Sequence, residues 1–148
     1  MNPNPSLPLL IELATGARDQ AASRYARTLQ QASQLDRQLG SLRHYAGDYV
    51  RQGHQRRLSG IDAAANANQS AFVGRIDQVA EQQRAELERV RALAETERQQ
   101  MMLCERKLKS LETLATRQAE LLRAATEKRE QKQMDEMAMQ VLRRHSEN

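Results

Sequence analysis

The sequence predicts an all-α fold: a long antiparallel two-helix coiled-coil hairpin with a C-terminal helical overhang. Three observations carry this. Aromatics are 3% of residues, Trp is absent and Phe72 is the only Phe, so the large rings that fill compact cores are scarce. Ala, Leu, Gln, Glu and Arg dominate, with charged residues at 28%, a mixture typical of coiled coils. Apolar residues recur on a heptad over two long stretches, which specifies a helix–helix seam.

The first helix is expected over about 9–52. Pro3, Pro5 and Pro8 all lie in the first eight residues, so no ring geometry blocks a helix downstream, and Pro8 suits a first turn. With Ile11, Arg18, Tyr25, Ala32, Leu39 and Ala46 at position a, position d holds Leu7, Ala14, Ala21, Thr28, Leu35, Leu42 and Tyr49. Only Arg18 and Thr28 interrupt an apolar or aromatic seam. A turn region is expected over about 53–69, where Gly53, Gly60, Asn66 and Asn68 break the pattern, with a short helix at Asp62 to Ala67. Asn68 or Ser70 is the expected cap of the second helix.

The second helix is expected over about 70–144. Val73, Ala80, Leu87, Ala94, Met101, Leu108, Ala115 and Leu122 take position a. Ile76, Gln83, Val90, Glu97, Cys104, Leu111, Gln118 and Ala125 take d. A short connection makes the helices antiparallel, so residues 1–148 form one hairpin. A fold-back centred on Ile61 sets Ala14 against Leu108, Ala21 against Met101, Ala32 against Val90, Leu35 against Leu87 and Leu42 against Ala80. Most of these layers pair a small side chain with a larger one, which fills space without overlap. The polar positions coincide too, Tyr25 with Glu97 and Leu39 with Gln83. After about Ala115 the second helix has no partner in its own chain. There the apolar stripe changes phase to Met134, Met137, Ala138, Val141 and Leu142. A lone helix end of this kind is marginal in water and calls for a docking partner, which flexible Met side chains suit.

Other function classes find little support. The net charge of +4 comes from interleaved acids and bases, the pattern of a solvated helix face rather than of a nucleic-acid or membrane-surface protein. No phosphate-binding loop, Cys pair or clustered His set is present, so neither enzyme activity, a cofactor nor a metal is expected. Cys104 is single and at a seam position, fitting a small core residue in a reducing compartment. No apolar run approaches a transmembrane length and no secretory leader is recognisable, so a cytoplasmic protein is expected.

The hairpin tip carries a second candidate surface. Gln38, Leu42, Tyr45 and Tyr49 form one stripe, and Phe72, Ile76, Val79 and Gln83 form another. Folding back pairs Tyr49 with Phe72, Tyr45 with Ile76, Leu42 with Val79 and Gln38 with Gln83. Positions d explain Leu42, Tyr49 and Ile76 as seam residues. Positions g leave Tyr45, Phe72 and Val79 partly exposed, and aromatic concentration at an exposed patch suits an interface anchor.

The segment Glu130-Gln-Lys-Gln-Met-Asp-Glu-Met-Ala138 resembles the "QKKMDEFA" box near the C-terminus of the FliJ family, small coiled-coil components of the bacterial flagellar type III export apparatus. Length, two-helix pattern and tip stripes agree over nearly the whole chain; Met137 stands where an aromatic is common. The resemblance implies a stalk, similar to the γ subunit of rotary F-type ATPases, inserted in the hexameric export ATPase. It also implies contacts with the export gate protein FlhA and with export chaperones, at the inner face of the cell membrane at the flagellar base. It assigns gate binding to the tip stripes Gln38, Leu42, Tyr45, Tyr49, Phe72, Ile76, Val79 and Gln83. It assigns ATPase binding to the chain ends, where Lys132, Met134, Asp135 and Glu136 match the box, with Met137 and Val141 beside them. The alternatives are the equivalent stalk of a virulence injectisome and a generic cytoplasmic coiled-coil adaptor.

Overall fold

The computed structural model describes residues 4–60 and 62–148. Among them there are two long helices and no strand: α1 (Leu7–Leu58) and α2 (Ala63–Ser146), packed against each other as a hairpin. Ile61, the expected fold-back point, lies outside the described residues. Asn4 precedes α1 and its Oδ1 accepts from the Ser6 backbone N–H at 3.1 Å and from the Ser6 hydroxyl at 2.9 Å. The first helical bond follows, from Leu10 N–H to the Ser6 carbonyl at 2.9 Å. At the other end Gly60 donates to the Arg57 carbonyl at 3.3 Å and adopts φ 91, a conformation open to Gly at no steric cost and a common helix stop.

The turn region expected over 53–69 is much shorter. α1 continues to Leu58 and α2 starts at Ala63, so the short helix expected at Asp62 to Ala67 is the opening of α2 itself. The cap is Asp62, not Asn68 or Ser70: its Oδ1 accepts from the Ala65 N–H at 2.8 Å, satisfying one of the free donors of the first turn. The reason for the added helix is that the seam runs on. Gly53 occupies the next a position and Gln69 the preceding d position, and both are buried. A Cβ at Gly53 would stand 1.1 Å from Gln69 Nε2, so glycine here supplies room rather than a bend. Gln69 Nε2 donates to the Tyr49 carbonyl at 3.3 Å, which satisfies a buried amide that would otherwise destabilise the layer.

The heptad accounts for burial with one adjustment. Every a and d position named for α1 is buried or half-buried. The same holds on α2 from Val73 to Gln118, whereas Leu122 and Ala125 are exposed. Intrachain cover thus ends at Gln118, one turn beyond Ala115, and every residue from Ala119 to Asn148 is exposed.

The chain divides into two compact units. Asp19–Met102 contains the main core, in which Ala32 and Leu39 of α1 meet Leu87 and Val90 of α2, with Leu35 and Ala80 packed alongside. Val90 is fully enclosed. The buried seam hydroxyl of Thr28 is satisfied locally by donating to the Arg24 carbonyl at 3.1 Å. Each helix contributes a small side chain, Ala32 on α1 and Ala80 on α2, among larger ones, a mixture that lets the two faces interdigitate. The second unit, Met1–Arg18 with Leu103–Asn148, buries Leu7, Ala14 and Leu108 and half-buries Ile11, Cys104 and Leu111. The outer face of α2 carries Arg–Glu pairs three or four residues apart: Arg84 with Glu81 and Glu88, Arg89 with Glu86 and Arg98 with Glu95. Exposed pairs of this spacing support helix formation modestly. No helix among the described residues is long and apolar enough to cross a membrane.

Candidate functional site

Two surfaces stand out, one in each unit. In the Asp19–Met102 unit the tip stripes meet as an aromatic cluster. Tyr49 and Phe72 lie 4.6 Å apart between ring centroids, and Tyr45 approaches each of them at 6.5 Å, edge-on to Phe72. These separations fall within the range of favourable ring pairs. Helix geometry explains the grouping: Tyr45 and Tyr49 are one turn apart on α1, and Phe72 faces them from α2. Arg75, one turn on from Phe72, sets its guanidinium 5.9 Å from that ring's centroid, a cation–π contact. Further along, Gln83 Nε2 donates to Gln38 Oε1 at 2.7 Å, tying the two stripes together. Gln38, Leu42, Val79 and Gln83 line a shallow groove with Gln34, Arg37 and Ser41.

The eight tip residues are not equivalent. Ile76 is buried, and Leu42, Tyr49, Phe72 and Gln83 are half-buried. Tyr45 is 55% exposed and Val79 48% exposed. Ile76 therefore supports the patch from beneath, while Tyr45, Val79 and the open edge of Phe72 form its outer surface. The sequence pattern did not single out Gln69, whose hydrogen bond to Tyr49 fixes the backbone under the cluster. The signal that reveals it is the extension of the a/d pattern through Gly53 and Gln69. Asp48 borders the cluster with its carboxyl held below the usual range, chiefly by the hydrogen bond from Arg51, with His44 Nε2 3.3 Å away.

In the other unit the candidate residues near the C-terminus are all exposed, Met134 by 70% and Met137 by 68%. Their spacing on a single helix splits them into two faces. Lys132, Asp135 and Glu136 share a shallow groove with Met139, Gln140 and Arg143. Met134, Met137 and Val141 recur at three and four on the opposite side. The charged face continues the line of the seam, and the methionine stripe turns away from it. Exposed Leu121 and Leu122 extend the seam side beyond Gln118, where intrachain cover ends. No group of three or more His, Cys, Asp or Glu placed to hold a metal occurs among the described residues. The groups presented at the two surfaces are apolar side chains, ring edges, amides, guanidiniums and the carboxylates of Asp135 and Glu136.

Two long helices packed as a hairpin, with exposed apolar side chains in both units, define the class of two-helix coiled-coil proteins. A family model described as Flagellar FliJ protein matches residues 3–147, and the chain belongs to that family. It is thus a coiled-coil protein associated with flagellar export. No individual curated protein and no solved structure matches it.

Proposed function

We propose that this chain is a non-catalytic stalk of the flagellar type III export apparatus with two clients. The exposed end of α2 docks in the hexameric export ATPase through Lys132, Met134, Asp135, Glu136, Met137 and Val141. The aromatic patch around Tyr45 and Phe72 contacts the export gate protein FlhA. Export chaperones are transient passengers, and the protein works from the cytoplasm at the inner face of the membrane. α2 contributes residues to both surfaces, so ATP-driven changes in the ring would reach the gate through that helix.

The observation that supports this reading most directly is the uncovered end of α2. From Ala119 onward no residue is shielded by its own chain, yet Met134, Met137, Val141 and Leu142 present large apolar groups to solvent. Contiguous exposed apolar surface of this kind marks an interaction site.

A paired experiment tests the assignment. Met134→Ser with Met137→Ser and Val141→Ser is expected to weaken co-sedimentation with the export ATPase and its hexamer formation by at least tenfold, leaving FlhA binding intact. Tyr45→Ala with Phe72→Ala is expected to do the reverse. If both variants bind both clients as the parent does, the assignment of the two surfaces is wrong.

A further inference from the structure

The charges around the aromatic patch are asymmetric in a way the apolar anchors alone do not require. On the flank that carries Tyr45, Phe72 and Val79, helix spacing also places the carboxylates Asp48 and Glu86. Each is already committed within the chain. Asp48 receives the Arg51 guanidinium, and Glu86 accepts from Arg89 Nε at 2.9 Å and Nη2 at 2.6 Å. Both carboxyls are held below their usual range, with the arginine hydrogen bond the largest cause in each case. Two guanidiniums on the same border have no carboxylate among the described residues. Arg37 lines both the groove with Leu42 and Val79 and the adjoining one with Tyr45. Arg75 stands over Phe72.

We propose that the tip patch recognises an acidic protein segment whose apolar side chain seats between Leu42, Tyr45, Phe72 and Val79 while its carboxylates pair with Arg37 and Arg75. This rests on the assignment of the patch to the export gate and specifies the chemistry of the element that docks there. The occupant is a peptide segment because the patch combines ring edges and aliphatic groups with the Gln38 and Gln83 amides, a mixture that reads a side chain and its backbone. Guanidiniums match carboxylates with two parallel hydrogen bonds, and an arginine already over a ring keeps its edge free to make them. The intrachain pairing of Asp48 and Glu86 removes the repulsion that free carboxylates would present to an acidic partner. Charge complementarity at the rim of an interface acts mainly on association rate and its salt dependence, while the apolar centre holds the complex.

The test measures binding of purified FlhA by full-length protein at low and at physiological salt. The variants are Arg37→Glu with Arg75→Glu, the conservative Arg37→Lys with Arg75→Lys, and Tyr45→Ala with Phe72→Ala. All these side chains lie on the surface or its edge, and circular dichroism checks that helix content is kept. The proposal expects about tenfold slower association for the double charge reversal and a flattened salt dependence. The lysine pair should retain most of the rate. If the aromatic variant loses binding while charge reversal changes neither rate nor salt slope, the acidic-segment proposal is overturned and the gate assignment stands. If the aromatic variant binds FlhA normally, the gate assignment fails and the proposal with it. Vesicles rich in phosphatidylglycerol serve as a separate probe. Arginine-dependent capture by these vesicles, without arginine dependence toward FlhA, would overturn the proposal in favour of a lipid surface.

Discussion

Single residues carry this structure where the helices come closest. Val90 is completely enclosed and touches the cluster of Ala32, Leu39 and Leu87. Val90→Ala removes two carbons with no solvent access to relieve the void, so it is expected to destabilise the hairpin by about 2 kcal/mol. Urea unfolding should show a lower midpoint at an unchanged slope. Gly53 and Gln69 form a second critical contact, because the amide lies where a side chain on residue 53 would begin. Gly53→Ala gains about 1 kcal/mol of helix propensity but expels Gln69 and breaks its bond to Tyr49. Gln69→Ala leaves the slot empty. The double variant Gly53→Ala with Gln69→Ala is expected to be more stable than Gln69→Ala alone, with a coupling of at least about 1 kcal/mol in a double-mutant cycle. Additive effects would show that the two residues do not share the space.

The two helices differ in what sustains them. α1 is covered along its seam from Leu7 to Gly53, so its stability derives from packing. α2 is covered only to Gln118, and beyond that its helical state rests on propensity and on continuity with the packed part. A chain ending at Gln118 removes no buried group and is expected to unfold within about 0.5 kcal/mol of the full chain, the usual range for exposed positions. Calorimetry on both chains measures this, and a large loss would show that the terminal segment packs somewhere on its own chain. Hydrogen exchange should find the amides from Ala119 onward the least protected of α2.

At the scale of the whole molecule, charge is arranged to support helices, with acids and bases three and four residues apart on exposed faces. Asp48, Glu81, Glu86 and Glu95 have carboxyls held below their ordinary values of 3.8 for Asp and 4.5 for Glu, in each case first by an arginine hydrogen bond. A carboxyl with a depressed folded-state value favours folding above the unfolded value and loses that contribution as pH falls through the folded one. Thermal stability is therefore expected to stay level from neutral pH down to about 5 and to decline below 4.5 as these groups protonate. Because Glu81 and Glu95 are exposed and the half-buried Asp48 and Glu86 keep over two-fifths of their side chains in solvent, the decline should be shallow and partly masked by salt. Melting curves across this range check it, and a rise in stability on acidification would contradict the pairing.

The sequence alone determined the helical class, the phase of both seams and, to within one turn, the length of α2 left without cover, because period and composition are local properties of the chain. Leu7 to Tyr49 and Val73 to Gln118 could be placed inside from spacing alone, as could the exposure of Tyr45 and Val79. Only the tertiary structure decided the fate of residues 53–69. Gly53 and Asn66 weaken a helix considered by itself, and no local rule shows that Gly53 is needed so that Gln69 can lie across it. The grouping of Arg37 and Arg75 around one patch was hidden for a related reason. Both arginines are single charges in a mixed sequence, and they gain meaning only when the two helices are laid side by side and the neighbouring carboxylates prove to be occupied. Interactions within one helix can be read from sequence because their spacing is fixed, whereas those between helices depend on which side chains the packing brings into the same space.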